Sequence, residues 1–207
     1  CAMSIGAKQA GRPVGSLGAL SICSFYATKL ISSGGEGGML LTDDDDMAAT
    51  ARDLREYDSA GADRLRYNYK MTDLAAAIGR VQLRRLPGFV ERRREIASIY
   101  YRRLQQLDLL LPPDSDDHIY YRFVVRGKLH ACEFVRRMQS RGVLAREPVF
   151  QPLHRELGYS DVDFPVAANA HRDDVSLPLY PSLEDEEIDQ VVEAASQVSQ
   201  VSHEIDE

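Results

Sequence analysis

"SFYATKLISSGGEGGMLLTD", residues 24–43, places one lysine, Lys29, between two apolar runs, with four glycines in the five positions from 34 to 38. Upstream, "GRPVGSLGALSICSFY" reads as a turn and then a short strand over residues 19–26. Downstream, "GGMLLTD" reads as a second strand over residues 38–43. A lysine amine attacks carbonyls once its charge is desolvated or electrostatically depressed. Pyridoxal phosphate enzymes use that property and hold the cofactor phosphate with hydroxyls and backbone N–H groups near turns. Ser24, Ser32, Ser33 and the glycines are candidates for such groups. Taken alone, a solvated lysine beside a turn-forming glycine loop is the simpler reading.

Length and composition narrow the class. At 207 residues and 44% hydrophobic content, the chain suits one large domain or two small ones with a real core. No apolar run is long enough to cross a bilayer, and no charged and apolar leader opens the chain. The start at "CAMSIGA", without methionine, suggests a fragment or a processed terminus. The net charge is -7, and the densest basic stretch, "RRLPGFVERRREIASIYYRR", alternates arginine with apolar residues. That is the pattern of a helix with one wet face, so nucleic acid is not an expected partner. Cys1, Cys23 and Cys132 are odd in number and form no CxxC, as expected of free thiols in a reducing cytoplasm. The five histidines are scattered, with no HExxH, so no metal site is expected.

The remaining pattern gives the order of elements. "DDDD" (43–46) supplies carboxylates for a helix N-terminus, with the helix expected over residues 45–57. "SAGADRLRYNYK" is polar and irregular. Thr72 caps a helix in which Leu74, Ile78, Val81 and Leu86 share a face. Pro87 is expected to interrupt or kink it, with a second long helix over 88–107. "DLLLPPDSDD" breaks the chain and sets an expected boundary, giving domains 1–112 and 113–207. Beyond it come a strand in "HIYYRFVVRG", an amphipathic helix in "LHACEFVRRMQSRG" ending at Gly142, and an extended "VLAREPVFQPLH". A last helix carries Ile188, Val191, Val192 and Ala195, with Ser182 and Asp185 as an expected capping box. The tail "SHEIDE" is expected to fray. Strands mixed with long helices argue for an α/β protein.

In order along nearly the whole chain, "GRPVGSLGALSICSFYATK", "GGEGGMLLTDDDD", "YNYKMTDLAAAIGRVQLRRL", "PLH" and "VSLPLYPSLEDEEIDQVVEA" resemble the DegT/StrS-type sugar-nucleotide aminotransferases. These are fold-type I pyridoxal phosphate enzymes. The resemblance implies part of a fold-type I large domain followed by a small α+β C-terminal domain. It places Lys29 at the Schiff-base position, from which its amine moves the proton between substrate Cα and cofactor. Ser24, five residues earlier, matches a serine on the cofactor phosphate, and Asn68 an asparagine that reaches the phosphate of the partner subunit's cofactor. Lys70 stands where relatives often carry arginine, and His154 in "PLH" is placed near the substrate mouth by resemblance only.

The implied cofactor is pyridoxal 5'-phosphate. The implied substrates are a keto-sugar nucleotide and an amino donor such as glutamate. The implied assembly is a cytoplasmic homodimer with a shared active site. The family's pyridine-facing aspartate would immediately precede Cys1, and Met3 stands where relatives carry a polar glutamine or histidine. The first half of the family's large domain has no counterpart here, so a complementing N-terminal half is one expected partner. A non-catalytic, regulatory or scaffold homologue is the alternative. A dehydratase branch, which replaces the lysine with histidine, is disfavoured by Lys29 itself.

Overall fold

The computed structural model describes residues 1–58 and 64–200. Two compact units emerge: residues 1–91 with 115–121, and residues 92–114 with the chain from 122 onward. The expected division at 112–113 and this division by packing do not coincide, because residues 92–112 pack with the second unit.

The first unit holds two small antiparallel hairpins. Strands β1 (Lys8–Gln9) and β2 (Arg12–Pro13) form one. Strands β3 (Ser21–Ser24) and β4 (Gly38–Leu41) form the other, pairing Ser21 with Leu41 and Ser24 with Gly38. Helix α1 (Asp45–Arg55) follows, and its start was legible: Asp44 is the N-cap and accepts from the Met47 N–H at 2.9 Å. Asp45 and Asp46 then lie in the first turn, where negative charge meets the positive end of the helix dipole. Cys23, Phe25, Leu30, Ile31, Leu86, Val90 and Ile119 form the buried core of this unit.

Helix α2 (Asp73–Leu104) corrects the sequence reading at Pro87, because the chain runs on as a single helix of 32 residues with the proline inside it. Thr72 caps it as expected, its hydroxyl accepting from the Ala75 N–H at 3.2 Å. A proline in a helix interior forfeits one backbone hydrogen bond. Leu86 and Val90, on either side of Pro87, are both buried in the first core. Their burial offsets the lost bond.

In the second unit, Ile96, Tyr100 and Leu104 repeat every four residues along α2 and are fully buried. Strands β5 (Phe123–Arg126) and β6 (Asp174–Leu177) pair antiparallel beside α3 (Ala131–Gln139). "HIYYRFVVRG" is therefore only partly strand, since residues 118–121 belong to the first unit. Helices α4 (Leu153–Glu156) and α5 (Pro165–Asp173) had no clear apolar period to announce them. The final helix, α6 (Asp185–Gln200), buries Ile188, Val191, Val192 and Ala195 as its pattern required. Its cap differs from expectation: Glu187 reaches back to the Glu184 N–H at 2.9 Å, in place of a Ser182–Asp185 box. The expected fraying of residues 202–207 lies outside the described residues.

Phe123 is fully buried and meets Tyr100 and Tyr101 edge-on at 5.1 and 5.2 Å between ring centres. Phe123→Ala should cost about 3–5 kcal/mol of stability in urea titration. A loss below about 1 kcal/mol would mean that this ring is not central to the second core.

Candidate active site

Residues 25–37 close the β3–β4 hairpin as a wide loop. Phe25 N–H donates to the Gly37 carbonyl at 2.7 Å, Ala27 N–H to that of Gly35 at 3.0 Å, and Ser33 N–H to that of Phe25 at 3.0 Å. Gly35 takes φ 123°, a conformation side chains rarely adopt. At Gly37 a Cβ would come within 2.7 Å of the Met71 methyl and 2.9 Å of Ser33 Cβ. The loop chemistry therefore follows from sequence: glycine is needed where the returning chain crosses its own side chains.

Lys29 sits on this loop, its N–H bonded to the Tyr26 carbonyl at 2.9 Å. It is half-buried, between the buried Phe25 and the buried Leu30 and Ile31. Its Nζ lies 6.0 Å from the centre of the Tyr121 ring, and the Tyr121 hydroxyl donates to the neighbouring Thr28 carbonyl at 3.1 Å. Among the described residues no carboxylate pairs with Lys29. The other three lysines differ. Lys70 binds Glu56 at 2.7 Å and Asp58 at 3.1 Å, Lys128 binds Asp108 at 2.9 Å, and Lys8 is exposed.

Tyr121 was missed because "HIYYRF" reads as strand. In the structure Asp117 accepts from the backbone of Lys8 and Ala10, Tyr120 takes φ 46°, and Ile119 enters the first core. That anchored turn aims Tyr121 at the lysine loop. The acidic "DSDD" before it was the available signal.

Ser24, at the end of β3, is half-buried, and its Oγ accepts from the Tyr26 N–H at 3.4 Å. Among the described residues its own proton has no acceptor, which leaves a donor for an anion. Asn68 is exposed and its amide has no hydrogen bond among the described residues. Lys70 is held by its two carboxylates, which raise its pKa, Glu56 most. A free primary amine and a free hydroxyl five residues apart are the donor set a phosphate-bearing aldehyde needs. The residues present fit pyridoxal phosphate on that ground.

His154 belongs to the second unit. It is buried, stacks on Phe164 at 5.1 Å, and its Nε2 lies 2.9 Å from Asp161. Arg155 clamps the same carboxylate through Nε and a terminal nitrogen, both at 2.8 Å. Arg155 first, then His154, holds the Asp161 carboxyl well below the usual range.

A cavity of about 1020 Å³ opens in the first unit beside the lysine loop, lined by Phe25, Ile31 and Ser33 of that loop with β4, Arg52, Arg55, Lys70 and Arg80. Lys29, Ser24 and Asn68 are not among its lining residues. The buried Ser33 hydroxyl finds no partner, and Arg52, Arg55 and Arg80 have no ion pair among the described residues. Among those residues, no helix is long and apolar enough to cross a membrane.

The chain belongs to the DegT/DnrJ/EryC1/StrS aminotransferase family, whose match spans residues 1–196. It is similar to the spore coat polysaccharide biosynthesis protein SpsC of Bacillus subtilis, at 34% identity over 90% of this chain and 55% of that protein. It is similar to the dTDP-3-amino-3,6-dideoxy-alpha-D-galactopyranose transaminase of Aneurinibacillus thermoaerophilus, at 34% identity over 95% of this chain and 56% of the enzyme. The crystal structure of the aminotransferase TlmJ from Streptoalloteichus hindustanus superposes with a TM-score of 0.85 at 31% identity, over 96% of this chain and 57% of that one. The family resemblance and the partial fold-type I architecture expected from sequence both hold. The chain spans little more than half the length of these relatives.

A depressed carboxylate stabilises the fold above its unfolded pKa and loses that contribution as pH falls through the folded value. Asp161→Asn should therefore lower the melting temperature at pH 7, and the gap to wild type should narrow as pH drops below about 4. Thermal melts at graded pH check this. A gap that stays constant through acid would contradict it.

Proposed function

We propose that this chain is the lysine-bearing portion of a pyridoxal phosphate-dependent sugar-nucleotide aminotransferase, with Lys29 as its Schiff-base residue. The observation that carries this is the state of Lys29. Of four lysines it alone combines half-burial with the lack of a carboxylate partner among the described residues. An amine not engaged by a carboxylate is available to a carbonyl partner.

When bound, pyridoxal phosphate supplies an aldehyde for amines and an aromatic ring that delocalises the electrons released at an adjacent carbon. Ser24 Oγ would donate to the phosphate. Lys29 Nζ, once free, would be the base that takes the proton from substrate Cα and returns it. Tyr121 would steady the loop that carries Lys29, through its bond to Thr28 and by shielding the amine with its ring. Asn68 is assigned to the cofactor phosphate of a partner subunit, consistent with its exposed amide, unbonded among the described residues. That assignment makes the working form a homodimer with a shared site. His154 is a substrate-binding candidate by resemblance only, its ring already engaged by Phe164 and Asp161. Lys70 is the weaker substrate candidate, since Glu56 and Asp58 already hold it.

The substrates are a keto-sugar nucleotide and an amino-acid donor such as glutamate, in line with the dTDP-sugar transaminase among its relatives.

Pyridoxal phosphate mixed with the chain should produce a visible absorbance band that is lost in Lys29→Ala and kept in Lys8→Ala. Identical spectra for wild type and Lys29→Ala would favour the non-catalytic reading, in which the chain is a regulatory or scaffold homologue.

A further inference from the structure

Helix α2 meets the lysine loop through its first turns. Ser33 is 1% exposed, and its hydroxyl has no hydrogen-bond partner among the described residues. It is wedged between two glycines. A Cβ added at Gly37 would stand 2.9 Å from Ser33 Cβ, and one added at Gly79 would stand 2.8 Å from Ser33 Oγ. Beside that contact, a Cβ at Gly34 would come within 3.1 Å of the Ile78 side chain. The loop therefore sits on consecutive α2 residues, Ile78 and Gly79. Gly79 lies inside the helix, directly after "DLAAAI", where alanine would favour helix formation. Local propensity gives no reason for glycine at this position. The close approach of Ser33 does.

We propose that Gly79 of α2 fixes the lysine loop through Ser33, and is thereby a positioning residue for Lys29. Its consequence for the cofactor rests on the reading of Lys29 as the Schiff-base residue. Ser33 N–H donates to the Phe25 carbonyl at 3.0 Å, and Phe25 N–H donates to the Gly37 carbonyl at 2.7 Å. These bonds tie both ends of the loop together. Lys29 hangs between them, its own N–H on the Tyr26 carbonyl. A methyl group at position 79 would push Ser33 away from α2 by roughly 0.6 Å, from 2.8 Å to ordinary contact at 3.4 Å. Gly37 stands on the far side, so the displacement passes into the bonds that close the loop.

The full chain is compared as wild type, Gly79→Ala, Ser33→Ala and the double variant. One readout is amide hydrogen exchange across residues 25–37. The other is borohydride trapping of pyridoxal phosphate, with peptide mapping of Lys29 against Lys8. Gly79→Ala should raise exchange at the Phe25, Ala27, Lys29 and Ser33 amides. It should lower trapping at Lys29 by on the order of tenfold, with Lys8 unchanged, since a misplacement of about 1 Å costs up to about a hundredfold. On the Ser33→Ala background the same substitution should alter either readout by less than about twofold, because Ser33 Cβ lies 3.8 Å from the added Cβ, an ordinary contact.

A general loss of stability would move exchange in α6 and the β5–β6 pair along with the loop, and Ser33→Ala would not reverse it; that pattern would overturn the proposal. So would loop exchange unchanged by Gly79→Ala, Lys29 trapping unchanged where wild type is labelled, or effects equally large on the Ser33→Ala background. The two readings fail separately. Absent trapping at wild-type Lys29, with loop exchange still raised by Gly79→Ala and restored in the double variant, would sink the Schiff-base reading and support Gly79 as the residue that fixes the loop.

Discussion

The first unit depends on how the β3–β4 hairpin closes. Residues 25–37 must return the chain to β4 while Phe25, Leu30 and Ile31 enter the core. Two backbone bonds, Phe25 to Gly37 and Ala27 to Gly35, close the ring at 2.7 and 3.0 Å. Within that ring Lys29 is pinned at its own N–H and kept half out of water. An amine on a loose loop would be solvated and ordinary. An amine on this loop has an aromatic ring near it and no counter-ion among the described residues.

Further constraints protect the same loop. Gly37 lets Ser33 and Met71 approach at distances a Cβ would forbid. The turn at residues 115–121 returns to the first unit and delivers Ile119 to the core and Tyr121 to Thr28. Tyr120 accepts φ 46° to make that return, a strained choice for a bulky residue. Leu86 and Val90 secure the core from α2, whose interior proline costs a backbone bond that their burial offsets.

Much of this was legible in the sequence, and the exceptions have physical reasons. Asp44 and Thr72 announced two helix starts because short polar side chains satisfy free N–H groups locally. The glycines after Lys29 announced a loop. Pro87 misled because local propensity argues for a break, while the apolar face running from Leu86 to Val90 is a tertiary demand. The α6 cap misled because both Ser182 and Glu184 precede a run of acids, and only packing decides which one starts the helix. Tyr121 was invisible for a different reason: its partner Thr28 lies far along the chain, and no local period encodes such a contact.

The proposed activity stands on one lysine being different from the other three. Borohydride reduction after mixing with pyridoxal phosphate, followed by peptide mapping, reads that difference directly. The expected result is a pyridoxyl group on Lys29, with Lys8, Lys70 and Lys128 unmodified at stoichiometric cofactor. Label spread over the exposed lysines, or absent from Lys29, would contradict it.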